Sequence, residues 1–476
     1  MSAATGEYAS VTDEGLYRGL RPVHALAIVV GGVLGAAIYI RPAYIAQLVA
    51  TPAEALAVWL AAGLFCLAGA MTYGELASEV PRSGGEYAFL RVTLGELPAF
   101  LYGWMRLTVG VGGVASMALA AASFAADCIA LGGPWAHLHF AIAGEPVSVD
   151  LGPRQAVAVL IIGLLAALNI RGVGTAGRFQ AGVTSIKVLA LLALVAAVFA
   201  FAPGSTRGLA SVASAPAGAH EPFAYSAAVL AGVSAYNGWA NVVMVGGEVQ
   251  NPRQTLRWAL IAGICIAIAL YLLANLAYLQ VLSMDGMRTA FSTKYPTAPS
   301  VASRAASAVF GDRTAGWLPL LFLISSVGAL HCSLLSLPRV LYAMALDGLL
   351  PRPVATVAAS SKAPAVAIIV LAALAVMLVV FGTYDRLANM MAFGCVVFFA
   401  LNAFGLLYWR SAASQHGVPF RSWRGWLVPT LFLGGAAYLL LTLIIRANAE
   451  IIGAVAVIGA GVPVYFVIRW RTAARR

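Results

Sequence analysis

Gly31-Gly32-Val33-Leu34-Gly35 interrupts the first long apolar stretch of the chain, and Ala235-Tyr236-Asn237-Gly238-Trp239 interrupts another one five spans later. In hydrocarbon every backbone amide and carbonyl must find a partner inside the protein, so a broken helix survives at membrane depth only when it is buried or lines a cavity. Freed amides then bind anions and freed carbonyls bind cations. Two Gly-interrupted spans in corresponding places of two halves point to the midplane site of an inverted-repeat secondary transporter. The other reading of the same glycines is close helix packing, because small residues are common where membrane helices cross.

Composition sets the solvent. Hydrophobic residues make up 61% of the 476 and charged residues 10%, against roughly 45–50% and 25% in soluble domains. Stretches of about 20 apolar residues fall near 22–50, 54–78, 97–130, 155–169, 179–201, 223–246, 258–282, 317–346, 364–381, 386–409, 426–445 and 451–470, roughly twelve spans with no separate soluble domain. The formal charge of +11 does not describe a nucleic-acid binder, because the basic residues are dispersed among loops. Counted by loop, Lys and Arg favour one side by about two to one, which under the positive-inside rule places both termini in the cytoplasm. The first twenty residues carry Glu7, Asp13 and Glu14 and no apolar core, so they read as neither a cleaved signal nor a lipid anchor. Cys66, Cys128, Cys265, Cys332 and Cys395 lie in or at the ends of spans without metal-like spacing and read as small core hydrophobes.

Lys187, in Phe179-Gln180-Ala181-Gly182-Val183-Thr184-Ser185-Ile186-Lys187, is the charge most in need of a partner. An ionised Lys at the centre of a membrane helix costs about 2.5–3.5 kcal/mol. Nine residues beyond Arg178 at about 1.5 Å each is roughly 13 Å of depth, and the Lys stem covers only about half of that, which argues against snorkelling to the surface. Its expected partners are carbonyls of the first break around Gly31 and a hydroxyl of the Ser325-Ser326 pair in the eighth span. Arg106 is nearer the cytoplasmic end of its span and reads as a snorkelling residue. Glu75 and Glu248, at expected cytoplasmic helix ends, can pair with Arg82, Arg253 or Arg339 and close the inward path; the plainer alternative is exposed ion pairs that contribute little. For catalysis the inventory is poor. His24, His137, His139, His220, His331 and His416 form no ligand-spaced set, and the sequence holds no GxSxG elbow, HExxH pair or Gly-Lys-Ser/Thr phosphate loop. No metal or cofactor is expected, and His331, deep in a span, reads as a satisfied polar core residue.

The residues from about Leu20 to Pro351 resemble the amino acid-polyamine-organocation superfamily, and within it the L-type amino acid transporters and their bacterial relatives. The resemblance is carried by Tyr73-Gly74-Glu75-Leu76-Ala77-Ser78-Glu79-Val80-Pro81-Arg82-Ser83-Gly84-Gly85-Glu86-Tyr87-Ala88-Phe89-Leu90, then Leu101-Tyr102-Gly103-Trp104, Gly238-Trp239, Glu248-Val249-Gln250-Asn251-Pro252, the 271–282 run, Arg339, and Gly348-Leu349-Leu350-Pro351. It implies an all-α membrane fold of about 12 transmembrane helices: a LeuT-type five-plus-five inverted repeat with helices 1 and 6 broken, plus two C-terminal helices. The implied organisation is a cytoplasmic N-terminal segment over 1–21, a first repeat over 22–202, a second over 223–410, two additional helices over 426–470 and a cytoplasmic tail over 471–476. An amino acid carboxylate would meet the backbone amides of Val33, Gly35, Ala36 and Ala37. Its ammonium would meet carbonyls around Ser234, Ala235 and Asn237, as half-helix polarity also requires. Lys187 matches a lysine that sodium-independent members carry in place of the ion, with Ser325 its eighth-helix partner.

Departures from the family pattern matter as much. Gly35-Ala36-Ala37-Ile38-Tyr39 stands where the family usually has Gly-Ser-Gly-Ile-Phe, so one hydroxyl is gone and the carboxylate depends on backbone amides. Ser234 stands where many members place a phenylalanine gate, leaving room beside the substrate. The loop from Leu131 to Pro153 has no cysteine, which argues against the glycoprotein subunit that animal members carry. The reading is a sodium-independent amino acid exchanger in a bacterial inner membrane, with proton-coupled symport as the alternative. A membrane-embedded enzyme is a more distant possibility, for want of an acid, base or nucleophile cluster at membrane depth.

Overall fold

A computed structural model describes residues 15–129, 132–142, 145–201, 223–292, 294–295, 297–311, 317–381, 384–415, 424–445 and 449–473. The parts of the expected terminal segments at 1–14 and 474–476 lie outside these, as do His220 and His416. The helices are α1 (Pro22–Val33), α2 (Ala37–Leu48), α3 (Pro52–Glu79), α4 (Glu86–Thr93), α5 (Glu96–Met105), α6 (Val111–Cys128), α7 (Pro153–Ile170), α8 (Val173–Phe201) and α9 (Ala224–Ala235). After them come α10 (Asn241–Met244), α11 (Pro252–Val281), α12 (Met284–Arg288), α13 (Val301–Phe310), α14 (Leu318–Leu346), α15 (Ala365–Phe381), α16 (Tyr384–Gln415), α17 (Arg424–Ile445) and α18 (Ala449–Ala473). The helix starts follow local chemistry. Thr51 caps α3 by accepting from the Glu54 amide at 3.2 Å while the Glu54 carboxylate accepts from the Thr51 amide at 3.3 Å, a reciprocal arrangement that satisfies free amides at a helix start. Pro52, Pro153 and Pro252 stand at first-turn positions, where a missing N–H costs nothing.

Among the described residues nine helices are long and apolar enough to cross a membrane, and the pair α1 and α2, bent by 42°, makes a tenth. Three more apolar helices, Ala224–Ala235, Val301–Phe310 and Ala365–Val380, are shorter; the first is short because its span resumes as α10 beyond a break. The protein is therefore a polytopic, overwhelmingly helical membrane protein. One addition was not expected: the loop between the third and fourth spans holds an antiparallel hairpin, β1 (Ala136–Ile142) and β2 (Glu145–Leu151), in register from Ala136 opposite Leu151 to Ile142 opposite Glu145.

The buried apolar residues form two cores. One joins α1, α2, α3, α9, α10 and α11 with α8 beside them; the other joins α5, α6, α7, α14 and α15. α14 and α16 contribute to both, α14 through Phe322, Cys332 and Leu335 to the first and Leu330, Leu334 and Leu337 to the second, α16 through Val396 and Phe399 to the first and Phe393 and Phe398 to the second, and the short α4 and α10 are likewise divided. The two cores meet along α14 and α16, so any shift of one body against the other is carried at those shared helices, because packed interiors transmit strain rather than flow.

Candidate functional site

The first break falls at the end of the stretch that advertised it, at Leu34 to Ala36, so that Gly35 lies in it and Gly31 and Gly32 do not. Gly31 and Gly32 remain in α1; Leu34, Gly35 and Ala36 leave the helix, with the Leu34 amide still bonded to Val30 O at 2.8 Å and the Gly35 amide to Val33 O at 2.7 Å. Of the four amides expected to greet a carboxylate, those of Val33 and Gly35 are thus committed within the chain. Ala36 and Ala37 open α2, where first-turn amides have no intrahelical acceptor and carry partial positive charge.

Lys187 is 1% exposed, and its Nζ donates to Gly31 O at 3.1 Å and Leu34 O at 2.8 Å. One ammonium thus spans the last helical turn and the start of the break. Ser325 is not among its hydrogen-bond partners: the lysine tip crosses α14 at Gly328, where an added Cβ would lie 2.6 Å from both Cε and Nζ. Ser325 instead shares a 3.4 Å hydrogen bond with the Tyr39 hydroxyl, and Ser326 Oγ is buried without a partner. The eighth-span contact is made through the absence of a side chain, which no search for polar partners would find.

The second break runs from Tyr236 to Ala240. Gly238 has φ +111°, and its Cβ, if present, would lie 2.5 Å from Gly32 O. Both readings of the glycines therefore hold, at different residues: Gly32 and Gly238 let the first and sixth spans touch backbone to backbone, while Gly35 sits in the break. The Asn237 amide bonds Ser234 O at 3.3 Å, and its side-chain oxygen accepts from the Gly238 amide at 3.0 Å. The Tyr271 hydroxyl, buried on α11, lies 2.8 Å from Val33 O and 3.0 Å from Ala235 O. A hydroxyl has one proton, so it serves one carbonyl at a time and links the two breaks. Its ring packs at 5.2 Å against Trp59 and 4.8 Å against Tyr236. Tyr271 belonged to the motif run, yet nothing in the sequence gave its hydroxyl a role.

Ser234 donates to Ala231 O at 2.7 Å and borders a cavity of about 20 Å³ with Leu230, Val233, Asn237, Ala392, Cys395, Val396 and Phe399. That space holds about one water, so a larger occupant requires movement of α9 against α16.

At the end of the bundle where the chain enters α1, Arg339 and Glu248 form a fully buried two-point pair, Nε to Oε2 at 2.6 Å and Nη2 to Oε1 at 3.1 Å, and Arg339 Nη1 also donates to Leu335 O at 2.6 Å. Bidentate geometry of this kind fixes direction as well as charge. The Leu20 amide donates to Glu248 O at 3.0 Å and the Gln250 amide to Leu20 O at 2.8 Å, so the chain entering α1 is clasped to the same segment. Glu75 takes no part in this: its side chain is 41% exposed and it pairs with Arg410, not with Arg82, Arg253 or Arg339. Nearby opens a cavity of about 790 Å³ lined by Arg18, Glu79, Arg82, Arg91, Gly247 and Asp347 among others.

Arg106 overturns its expectation. It is 5% exposed and begins a π-helical turn, Arg106–Gly110, between α5 and α6; its Cδ and Nε pass 3.7 and 3.8 Å from the place a Cβ on Gly110 would occupy, one turn deeper. A snorkelling arginine would lead the other way. Beside it the buried Glu86 carboxylate accepts from Tyr73 at 2.7 Å and Tyr102 at 2.5 Å. Burial pushes this carboxyl above the usual range, against the downward pull of Arg106 and the two hydroxyls. His331 Nδ1 meets Gln180 Oε1 at 2.7 Å, continuing through Gln180 to Thr184 at 3.3 Å and from Thr184 to Ala27 O at 3.0 Å. This is a structural thread from α14 to α1, but it satisfies only one ring nitrogen: His331 Nε2 is buried without a partner, so the expectation of a satisfied core histidine is met at Nδ1 alone. Among the described residues no three His, Cys, Asp or Glu side chains gather as a metal site.

Two broken spans crossing at the centre of a helical membrane protein, one pinned by a buried ammonium, define a membrane carrier rather than an enzyme. The chain belongs to the amino acid permease family, whose pattern matches residues 20–468. It is 26% identical to a serine/threonine exchanger of Bacillus subtilis over 97% of this chain and 99% of that one. It is 25% identical to the human b(0,+)-type amino acid transporter 1, covering 85% and 79% of the two chains, and 26% identical to the cystine/glutamate transporter of Pongo abelii, covering 95% and 85%.

Proposed function

We propose that the protein exchanges amino acids across the membrane without sodium, by alternating access. The observation that carries this is Lys187: a permanent side-chain donor sits on the carbonyls of Gly31 and Leu34, where half-helix polarity would otherwise favour a bound cation. The substrate carboxylate lies on the amides of Ala36 and Ala37, its ammonium on the carbonyls of Val33 and Ala235, and its side chain beside Ser234. The inner gate is Glu248 with Arg339. Spans 22–202 and 223–410 act as inverted repeats. Their first two spans share one core with α8, and their third and fourth share the other, which supports one body rocking on the other. The dispersed basic loops support cytoplasmic termini, the full-length similarity to a bacterial exchanger supports a bacterial inner membrane, and the cysteine-free stretch 131–153 supports a carrier that works without a glycoprotein subunit.

Counterflow in proteoliposomes tests this. Labelled amino acid should enter quickly only when amino acid is trapped inside, and choline in place of sodium should change little. A need for an inward proton gradient would favour symport; clear sodium dependence would sink both readings, because Lys187 would not be replacing the ion.

A further inference from the structure

We propose that Arg106 forms an anion-recognising floor to the side-chain pocket, so that the protein's substrates include amino acids whose side chain ends in a carboxylate. This rests on the reading that the cavity beside Ser234 receives the substrate side chain. A guanidinium offers five N–H donors in a fixed fork and no acceptor. Those of Arg106 are badly served: Nη1 faces Cys395 Sγ at 3.9 Å, Nη2 faces Met244 Sδ at 3.9 Å, and Nε has no partner. Sulfur is a weak acceptor, and buried donors left without an oxygen are uncommon and costly.

The one carboxylate nearby does not relieve this. Glu86 accepts from Tyr73 and Tyr102, and no acidic side chain makes an ion pair with Arg106 among the described residues. Glu86 therefore balances the charge of the region, which lets an arginine be buried there, while leaving the guanidinium's hydrogen-bonding edge vacant. Cys395 is the shared wall: it lines the Ser234 cavity and touches Arg106. A side-chain carboxylate entering past Cys395 would meet a planar donor set that suits two oxygens. The π-helical turn that begins at Arg106 is a second sign, since such turns are rare and concentrate at functional sites. A glutamate-length side chain should reach further into this floor than an aspartate-length one.

The test is inhibition of labelled serine counterflow by glutamate, glutamine, aspartate and asparagine, each acid against its uncharged isostere. In the unaltered protein glutamate should outcompete glutamine by about tenfold or more, as expected of one charge-assisted contact. Arg106→Gln should bring that ratio to one or below, and Arg106→Lys should keep part of it. Cys395→Leu, which leaves the arginine in place but fills the gap in front of it, should also lower the ratio; it decides the matter if Arg106→Gln does not fold. No preference for acid over amide in the unaltered protein, or a ratio unmoved by the variants, would overturn the inference and leave Arg106 a packing residue. A protein that exchanges neutral amino acids yet ignores glutamate fails this inference alone, whereas one that exchanges no amino acid fails the exchange reading itself.

Discussion

The two breaks do the same thing to a helix and are held open in different ways. At the first, the loosened carbonyls of Gly31 and Leu34 are gripped by the tip of a long side chain from another helix. At the second, the turn is built into the chain: Gly238 holds a φ of +111°, Asn237 bonds the next amide with its own side chain, and Trp59, Tyr236 and Tyr271 pack around it. One break depends on a charge that can be removed without changing the backbone, and the other depends on backbone geometry itself. Damage to the second should therefore appear as loss of the folded protein, and damage to the first as loss of transport.

Gly238→Ala should have the largest effect. A Cβ there meets Gly32 O at 2.5 Å in a backbone region that side chains rarely adopt, and strain and overpacking together cost about 3 kcal/mol or more. Yield of monodisperse protein in detergent and its thermal unfolding should both fall sharply; an unchanged melting profile would show that the two spans do not lock at this contact. Lys187→Ala comes next and acts differently. It strips the donor from two buried carbonyls, about 1–3 kcal/mol of unmet desolvation each, at a place where the helix is already broken and can re-form contacts with water. Exchange should drop by about a hundredfold with the protein still folded, and Lys187→Arg should not restore it, because a planar fork cannot fit the point-charge position over Gly328. Near-normal exchange by Lys187→Ala would remove the lysine from the mechanism.

Both contrasts were partly visible in the sequence. The spans were legible because a stretch of about 20 apolar residues has few other uses, and Lys187 because its depth could be counted. The same arithmetic applies to Arg106, which stands nine residues inside its expected span as Lys187 stands nine beyond Arg178; depth, not nearness to one end of the span, is the property that marks both as buried. The contact of Lys187 with Gly328 and the pairing of Glu75 with Arg410 were not legible, since both join residues far apart in the chain through three-dimensional packing alone. The hairpin was legible in principle: Leu138, Phe140 and Ile142 alternate with His137, His139 and Ala141, a period of two. Its short alternating runs lie between two strong helical signals, which mask a period of two spread over so few residues.

Ser234→Phe sharpens the second break without disturbing its backbone. The ring would occupy the cavity bordered by Ala392, Val396 and Phe399, and overpacking there costs about 1–3 kcal/mol, roughly five- to a hundredfold in apparent affinity. The loss should grow with the size of the substrate side chain. A competition panel of small, branched and aromatic amino acids measures it, and an unchanged ranking would move the side-chain pocket away from Ser234.

Tyr271→Phe should have the smallest effect and is the most direct link between the two breaks. The hydroxyl lies within hydrogen-bond distance of Val33 O and Ala235 O, the carbonyls proposed for the substrate ammonium. With one proton for two acceptors it satisfies them incompletely, whereas an ammonium has three donors. If the hydroxyl stands in for the ammonium while the site is empty, removing it strips that donor from Ala235 O and leaves Val33 O with only the Gly35 amide, capacity that the substrate ammonium can fill. Thermal stability of the substrate-free protein should then fall, and the substrate should bind more tightly by about 0.5–1.5 kcal/mol, the net worth of one such bond, or roughly two- to tenfold. Titration calorimetry on the purified variant, beside a melting curve with and without substrate, separates this from the alternative. Weaker binding together with lower stability would mean that the hydroxyl holds the two breaks in their binding shape, making Tyr271 part of the scaffold that the first break otherwise owes to Lys187.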